Sequence, residues 1–261
     1  MPSPPVLFLH GGPGMTAELE RRQFGSTLPV HWWDQPVVGP STRQPFAMLI
    51  DAAAAELARM STERQERIDL LANSFGAYLA RALVDCAPQR IGRIVICGGV
   101  FDLASAILRF ASRLAERRRD TDLEGACQRT AQTDTPECYV ALLARASALP
   151  GFLDCYWGPA AGEQRESMKA LAAEGRLLDW PTCQSVMTAA LAVPQGPLAL
   201  PHPGAVRILL GRFDPYFDES DITAWTALWP SATVEVFDDV GHFPHLELPP
   251  SLWMPGHSLD L

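Results

Sequence analysis

The sequence lacks an excess of basic residues. Its 261 residues include 21 Lys and Arg against 30 Asp and Glu, so the formal net charge is −9 and the pI is about 5.1. A protein that binds DNA or RNA needs positive charge to displace counterions from the phosphates. We therefore expect no nucleic-acid partner.

The sequence also lacks an uninterrupted apolar run long enough to cross a bilayer. The longest stretch without a charged residue, 180–206, contains five prolines, which would break a membrane-spanning helix. The first five residues contain no basic side chain, and the apolar run after them, 6–9, is too short for the core of a signal peptide. We expect no membrane partner and a cytoplasmic location.

Motifs for metals and organic cofactors are missing as well. The six cysteines form no Cys-x-x-Cys pair, and the six histidines show no spacing typical of zinc ligands. No glycine-rich loop of the dinucleotide-binding kind is present. The sequence predicts free, mostly buried thiols, no metal and no cofactor.

Short apolar runs do alternate with helical patterns in the first hundred residues. The runs that are typical of buried strands lie at 6–9, 30–33, 67–72 and 93–97. Helical patterns at 46–60 and 75–86 lie between them, and this alternation predicts βαβ units and a mostly parallel sheet flanked by helices. The fold class is therefore α/β.

The alternation stops after the fourth strand. Residues 101–199 contain helical patterns, such as 103–118 and 163–178, and no convincing strand. Strands resume at 206–210 and 233–237. Because ordinary connections have about 2–6 residues, we expect a core domain of residues 1–100 and 200–261, with 101–199 inserted as an all-helical cap.

A serine stands at a sharp turn between the third strand and the next helix. The sequence there is Ala72-Asn73-Ser74-Phe75-Gly76, with small residues two positions before and after the serine. Small neighbours let strand and helix approach closely in the strained turn that exposes a nucleophilic serine. Ser74 is therefore the candidate nucleophile, although Ala72 replaces the usual first glycine. The alternative is a serine that only caps the N-terminus of the helix.

A glycine-rich turn follows the first strand, with the sequence His10-Gly11-Gly12-Pro13-Gly14. Glycines leave backbone N–H groups free to bind the oxyanion of an acyl-transfer intermediate, which needs two donors about 3 Å away. We expect the N–H groups of Gly12 and Phe75 to form this oxyanion hole. His10 is expected to hold the loop rather than to act in catalysis.

An acid and a base follow the last two strands. Asp214 lies in the loop after 206–210, and His242 follows a glycine after 233–237. The order Ser74, Asp214, His242 is that of one hydrolase architecture, in which the histidine accepts the serine proton and the carboxylate orients it. His245 is a rival base and Asp102 a rival acid, while Asp218 and Asp239 are expected in surface loops.

These motifs resemble the α/β-hydrolase fold superfamily over nearly the whole chain, and within it the proline iminopeptidase-like serine hydrolases. The segment 10–14 carries that subgroup's His-Gly-Gly-Pro-Gly signature, and 34–41 is similar to its Asp-Gln-Arg-Gly-x-Gly-x-Ser segment. Gly241-His242 followed by Glu247 and Pro249 is similar to the family's histidine loop.

The departures from the subgroup limit what the resemblance implies. Pro36 replaces the arginine and Val37 the first glycine of the second segment, which weakens an aminopeptidase assignment. The chain begins at what resembles the family's third strand, so we expect an N-terminally shortened fold with an exposed sheet edge and a possible homo-oligomer there.

The sequence predicts a serine hydrolase of small carboxylic esters, thioesters or amides. The alternatives are an iminopeptidase-like aminopeptidase, an acyltransferase or cyclase of a biosynthetic pathway, and a ligand-binding homologue without turnover. Aromatic residues of the cap either line a site for an apolar acyl or ring-bearing small molecule or pack the cap onto the sheet. They are Phe110, Tyr139, Phe152, Tyr156, Trp157 and Trp180.

Overall fold

The computed structural model describes residues 5–39, 41–193 and 204–255. These residues contain one sheet of six strands in the order β2-β1-β3-β4-β5-β6, in which all neighbours are parallel. The strands are β1 (Val6–Leu9), β2 (Val30–Trp33), β3 (Ile68–Asn73), β4 (Ile91–Cys97), β5 (Val206–Gly211) and β6 (Thr233–Phe237). The predicted fold class is confirmed, and each predicted strand is present within two residues of its expected ends.

The chain changes direction across the sheet between β1 and β3. After β1 it forms β2 on one side and then returns to form β3 on the other side of β1. Such a switch point leaves a crevice at the carboxyl ends of the two central strands, where α/β proteins bind ligands. The glycine loop follows β1 and Ser74 follows β3, so both predicted motifs border this crevice.

Helices cover both faces of the sheet, so β1 and β3 are buried along their whole length. Leu7 and Leu70 belong to one apolar cluster, while Phe8 and Leu71 belong to the cluster on the opposite face. This alternation follows the two-residue period of a strand. The helices of the core are α1 (Glu18–Phe24), α2 (Pro45–Arg64), α3 (Gly76–Cys86), α9 (Glu219–Leu228), α10 (Pro244–Glu247) and α11 (Pro250–Trp253).

The segment between β4 and β5 is helical where the structure describes it. It contains α4 (Leu103–Arg118), α5 (Thr121–Thr133), α6 (Pro136–Ser147), α7 (Gly162–Ala173) and α8 (Trp180–Ala192), with a 3₁₀ segment at Phe152–Tyr156. We refer to this segment as the cap. Its helices α4, α6 and α8 share one apolar cluster with the sheet, and its independence as a domain stays a prediction.

The helix predicted at 163–178 ends earlier, at Ala173. Gly175 has φ +66°, and the N–H groups of Gly175 and Arg176 donate to the carbonyls of Ala172 and Leu171. This is a Schellman motif, in which a left-handed glycine ends a helix. The predicted boundary was wrong because Gly175 ends the helix.

The six cysteines are free, but only half of them are buried. Cys97, Cys127 and Cys183 are buried, Cys138 and Cys155 are half-buried, and Cys86 is exposed. Burial raises the pKa of the Cys183 thiol to about 12, so this thiol stays protonated and unreactive.

The edge strand β2 is partly protected. The Arg21 guanidinium donates to the Trp32 carbonyl at 3.1 Å and to Asp34 Oδ1 at 3.0 Å. A charged side chain on an edge carbonyl discourages pairing with another strand. Association of two copies at this edge stays a prediction.

None of the helices in the described ranges has the length and apolarity needed to cross a membrane.

Candidate active site

Ser74 sits in a strained turn that connects β3 to α3. Its φ is +52°, a conformation that costs a residue with a side chain about 1 kcal/mol or more. A Cβ on Gly76 would lie 2.0 Å from the Leu9 carbonyl oxygen, and one on Gly11 would lie 2.8 Å from Ser74 Cβ. The glycines are therefore required by the close approach of backbone to the turn.

The predicted oxyanion donors lie at the same end of the sheet. Gly12 has φ +54°, and both Gly12 and Phe75 border the cavity that contains Ser74. Within the described residues, neither of their N–H groups donates to another protein group. Both donors are therefore available to a ligand, and their role as an oxyanion hole stays a prediction.

Asp214 and His242 form a buried hydrogen-bonded pair, with exposed fractions of 3% and 2%. His242 Nδ1 lies 2.7 Å from Asp214 Oδ2. A carboxylate only accepts, so Nδ1 carries the hydrogen and Nε2 of the neutral ring keeps its lone pair. The second oxygen, Asp214 Oδ1, accepts from the Tyr216 N–H at 2.8 Å. The pair can thus act as an oriented base.

Ser74 and His242 border one cavity, but no hydrogen bond joins their side chains in the described part of the chain. Such bonds often form only when substrate is bound. The structure brings the three predicted catalytic residues together, and their catalytic role stays a prediction.

The loop that carries His242 is held on both sides. The His242 N–H donates to the Tyr156 carbonyl of the cap at 2.6 Å, and Asn73 Nδ2 donates to the His242 carbonyl at 3.2 Å. A Cβ on Gly241 would lie 2.2 Å from the Tyr156 carbonyl oxygen. The glycine before the histidine is therefore explained by contact with cap backbone.

Glu247 ties the same loop to the cap. Its carboxylate accepts from the N–H groups of Gly158 at 2.8 Å, Gly241 at 3.0 Å and Phe243 at 3.4 Å. Burial raises the pKa of this carboxyl group, while the three N–H groups oppose the rise. The sequence pattern contained Glu247, but its contact with Gly158 could not be inferred from spacing.

The rival residues have other partners. His245 is fully buried and its Nε2 lies 2.9 Å from Glu20 Oε1. The Asp102 carboxylate accepts from the Ser105 N–H as the N-cap of α4, and Asp218 caps α9 in the same way. Asp239 is exposed. None of these four borders the cavity that contains Ser74.

His10 holds the glycine loop as a neutral ring. Its Nδ1 lies 2.8 Å from the Gly11 carbonyl, and its Nε2 accepts from the Gln35 N–H at 3.0 Å. These partners fix the hydrogen on Nδ1. Burial lowers the pKa of His10 below its usual 6.5, in agreement with a neutral ring.

The cavity at Ser74 has a volume of about 150 Å³ and mostly apolar walls. Three of the six cap aromatics, Phe152, Tyr156 and Trp180, border it, while the other three are buried in packing. The three that border the cavity also pack against the apolar core, and their contact with a substrate stays a prediction. The described residues around the cavity include no Asp, Glu, Lys or Arg.

The cap also contacts the glycine loop and the segment after β2. The Asp179 N–H donates to the Gly14 carbonyl at 2.8 Å, and the Val38 N–H donates to Thr182 Oγ1 at 3.0 Å. A Cβ on Gly14 would lie 2.4 Å from the Asp179 carbonyl oxygen. Sequence reasoning missed these contacts because they join segments more than 140 residues apart.

Metal ligands are not grouped anywhere in the part of the chain that the structure describes. Among the described side chains, no cluster of three or more His, Cys, Asp or Glu residues is placed to hold an ion.

Comparisons with known proteins agree with this architecture. The chain is similar in fold to three solved structures. A proline iminopeptidase-related protein from Thermus thermophilus is 21% identical, with a TM-score of 0.69, and the match covers 96% of this chain and 86% of that one. An esterase from Rhodococcus sp. ECU1013 is 18% identical, with a TM-score of 0.61 and coverage of 96% and 87%. A thermophilic esterase from Thermogutta terrifontis is 19% identical, with a TM-score of 0.58 and coverage of 96% and 86%. A search of curated proteins found no match.

The resemblance seen in the sequence is confirmed at the level of the family. The model of the alpha/beta hydrolase fold family matches residues 4–249, which include β1 to β6 and the whole cap. A proline iminopeptidase-related protein is among the similar structures. The chain belongs to the alpha/beta hydrolase fold family.

Proposed function

We propose that the protein is a serine hydrolase that cleaves small, uncharged carboxylic esters, thioesters or amides through an acyl-enzyme on Ser74. The observation that carries the proposal is the 2.7 Å hydrogen bond between His242 Nδ1 and Asp214 Oδ2, at a cavity that Ser74 also borders. A nucleophile, a base and a group that orients the base are the components that acyl transfer needs.

In the proposed reaction Ser74 Oγ attacks the substrate carbonyl carbon while its proton moves to His242 Nε2. The negative charge on the carbonyl oxygen is held by the N–H groups of Gly12 and Phe75, each worth about 3–4 kcal/mol. The bond to the leaving group then breaks, and the leaving group takes the proton from Nε2. Water then attacks the acyl-enzyme carbonyl while one of its protons moves to His242 Nε2. This proton returns to Ser74 Oγ as the carboxylic acid is released.

The walls of the cavity favour an apolar acyl group or ring. Leu103, Ile107, Leu143 and Met187 are among the side chains that border it, and burying an apolar substrate group against them contributes about 0.8 kcal/mol per CH₂. An aminopeptidase would have to place an α-ammonium group here with no carboxylate among the described lining residues. Burying an unpaired charge costs several kcal/mol, so this observation favours an uncharged ester over a peptide amino terminus.

The test compares two kinds of substrate on the wild-type protein and on Ser74→Ala. We expect hydrolysis of p-nitrophenyl butanoate and octanoate by the wild type, and a loss of several orders of magnitude in the variant. Hydrolysis of proline p-nitroanilide is expected to be much slower. Preference for the anilide would contradict the proposed substrate class, and an active Ser74→Ala would contradict the mechanism. An added alcohol that is acylated in place of water would move the assignment to acyl transfer.

A further inference from the structure

Two tyrosines meet beside the proposed base. Tyr156 ends the 3₁₀ segment of the cap, and Tyr216 lies in the loop after β5. Their hydroxyl oxygens are 2.9 Å apart. Their ring centroids lie 5.5 Å and 4.9 Å from that of His242, and both residues border the cavity that contains Ser74.

The pair has a hydrogen left to donate. Each phenol carries one O–H, and only one of the two hydrogens is used in the bond between them. Neither hydroxyl has another hydrogen-bond partner among the described residues. Burial raises the pKa of Tyr156 and of Tyr216 above the usual value of 10.0, so both phenols stay protonated at neutral pH. The pair is therefore a neutral donor in an apolar cavity.

Few other polar side chains border this cavity. Asn73 already donates to the carbonyls of Cys97 and His242. Ser147 lies at the end of α6 and Trp180 at the start of α8, both of them cap helices. The hydroxyl pair is thus the polar feature next to His242 that the proposed mechanism does not use. A donor left unpaired in apolar surroundings is unfavourable, and a ligand acceptor relieves this.

The position beside His242 indicates which part of the substrate meets the pair. In the proposed reaction His242 protonates the leaving group, so the leaving group must lie next to this ring. The acyl carbonyl oxygen lies instead at the N–H groups of Gly12 and Phe75. With no cationic side chain among the described lining residues, the matching acceptor is a neutral oxygen.

We infer that Tyr156 and Tyr216 form a binding site for a neutral oxygen in the leaving group, such as an ether or hydroxyl oxygen close to the cleaved bond. The inference rests on the proposed function and narrows its substrate class to esters whose alcohol part carries such an acceptor. The pair acts on specificity, since the proton transfers remain with His242.

The experiment uses two esters that differ by one atom. Butyl hexanoate and 2-methoxyethyl hexanoate have leaving groups of nearly the same shape, with a CH₂ in the first where the second has an oxygen. We would measure kcat/KM for both by titrating the released acid, for the wild type and for the double variant Tyr156→Phe/Tyr216→Phe. The ratio of kcat/KM for the two esters is then compared between the wild type and the double variant, so that intrinsic differences between the esters cancel.

We expect the preference for the methoxyethyl ester to fall about 3- to 10-fold in the double variant, the factor that a neutral hydrogen bond contributes. Tyr139→Phe is the matched control. Tyr139 also lies in the cap, but its hydroxyl donates to Asp134 at 2.7 Å and it does not border the cavity, so the preference should stay unchanged.

An equal loss on both esters, with an unchanged ratio, would overturn the inference and leave a tyrosine pair that only ties the cap to the core. Failure of the wild type to cleave either ester would overturn the proposed function together with the inference. The two failures are therefore distinguishable.

Discussion

Replacing Gly241 by alanine tests whether contact with the cap positions the proposed base. The new Cβ would lie 2.2 Å from the Tyr156 carbonyl oxygen, and 2.7 Å from both Gly158 N and Trp157 Cα. All three neighbours are backbone atoms, so no side chain can rotate away. Ordinary carbon contacts are about 3.5 Å or longer, and the histidine loop must therefore move by about 1 Å or more.

That movement breaks the 2.6 Å hydrogen bond from the His242 N–H to the Tyr156 carbonyl. A misplacement of about 1 Å in a catalytic group lowers rates about 100-fold, and overpacking costs about 1–3 kcal/mol of stability. We expect Gly241→Ala to stay folded, with kcat for p-nitrophenyl butanoate reduced about 100-fold and the free energy of unfolding in urea reduced by about 2 kcal/mol.

Gly162→Ala is the matched control, because a Cβ there meets nothing within 4 Å. This residue begins α7, where alanine is a better helix former than glycine. We expect wild-type kcat and equal or slightly higher stability. A Gly241→Ala variant with kcat within threefold of wild type would refute the argument that cap backbone sets the position of His242.

Three further predictions concern residues around the site. Glu247→Gln should lower kcat about 10-fold with little change in KM, because an amide cannot accept from all three backbone N–H groups; a loss confined to KM would contradict a positioning role. Burial lowers the pKa of His10 in the folded chain, so below about pH 6.5 the unfolded chain protonates His10 while the folded chain resists it, and acidification costs up to about 1.4 kcal/mol of stability per pH unit. Urea denaturation at pH 7 and 5.5 should show a smaller pH dependence in His10→Asn, and equal slopes would refute this. Asp214→Asn should lose far more activity than Asp102→Asn in steady-state assays, and the reverse ranking would move the acid to Asp102.

Sequence reasoning worked where local backbone geometry restricts the residue type. The turn at Ser74 needs a small residue at Gly76, since the Leu9 carbonyl would meet a Cβ there at 2.0 Å. The apolar runs of β1 and β3 are buried along their whole length, so they stand out without any knowledge of their partners. Chain order and strand ends were then enough to bring Asp214 and His242 to the same crevice.

Sequence reasoning failed where distant segments meet. Tyr156 ends a short 3₁₀ segment and Tyr216 lies in a loop 60 residues away, and no periodicity in the sequence indicates that they meet. The contact of Gly14 with Asp179 and that of Glu247 with Gly158 join the cap to the core in the same way. Such contacts depend on how the cap is placed on the sheet, which a single sequence does not encode in any local pattern.

The central claim is that Ser74 is an activated nucleophile, and covalent labelling tests it most directly. Wild type and Ser74→Ala would be treated with a fluorophosphonate and measured by intact mass. We predict one stoichiometric adduct on the wild type and none on the variant, because attack at phosphorus needs the serine, the base and the oxyanion donors together. No adduct on a folded wild type, or the same adduct on both proteins, would contradict the claim.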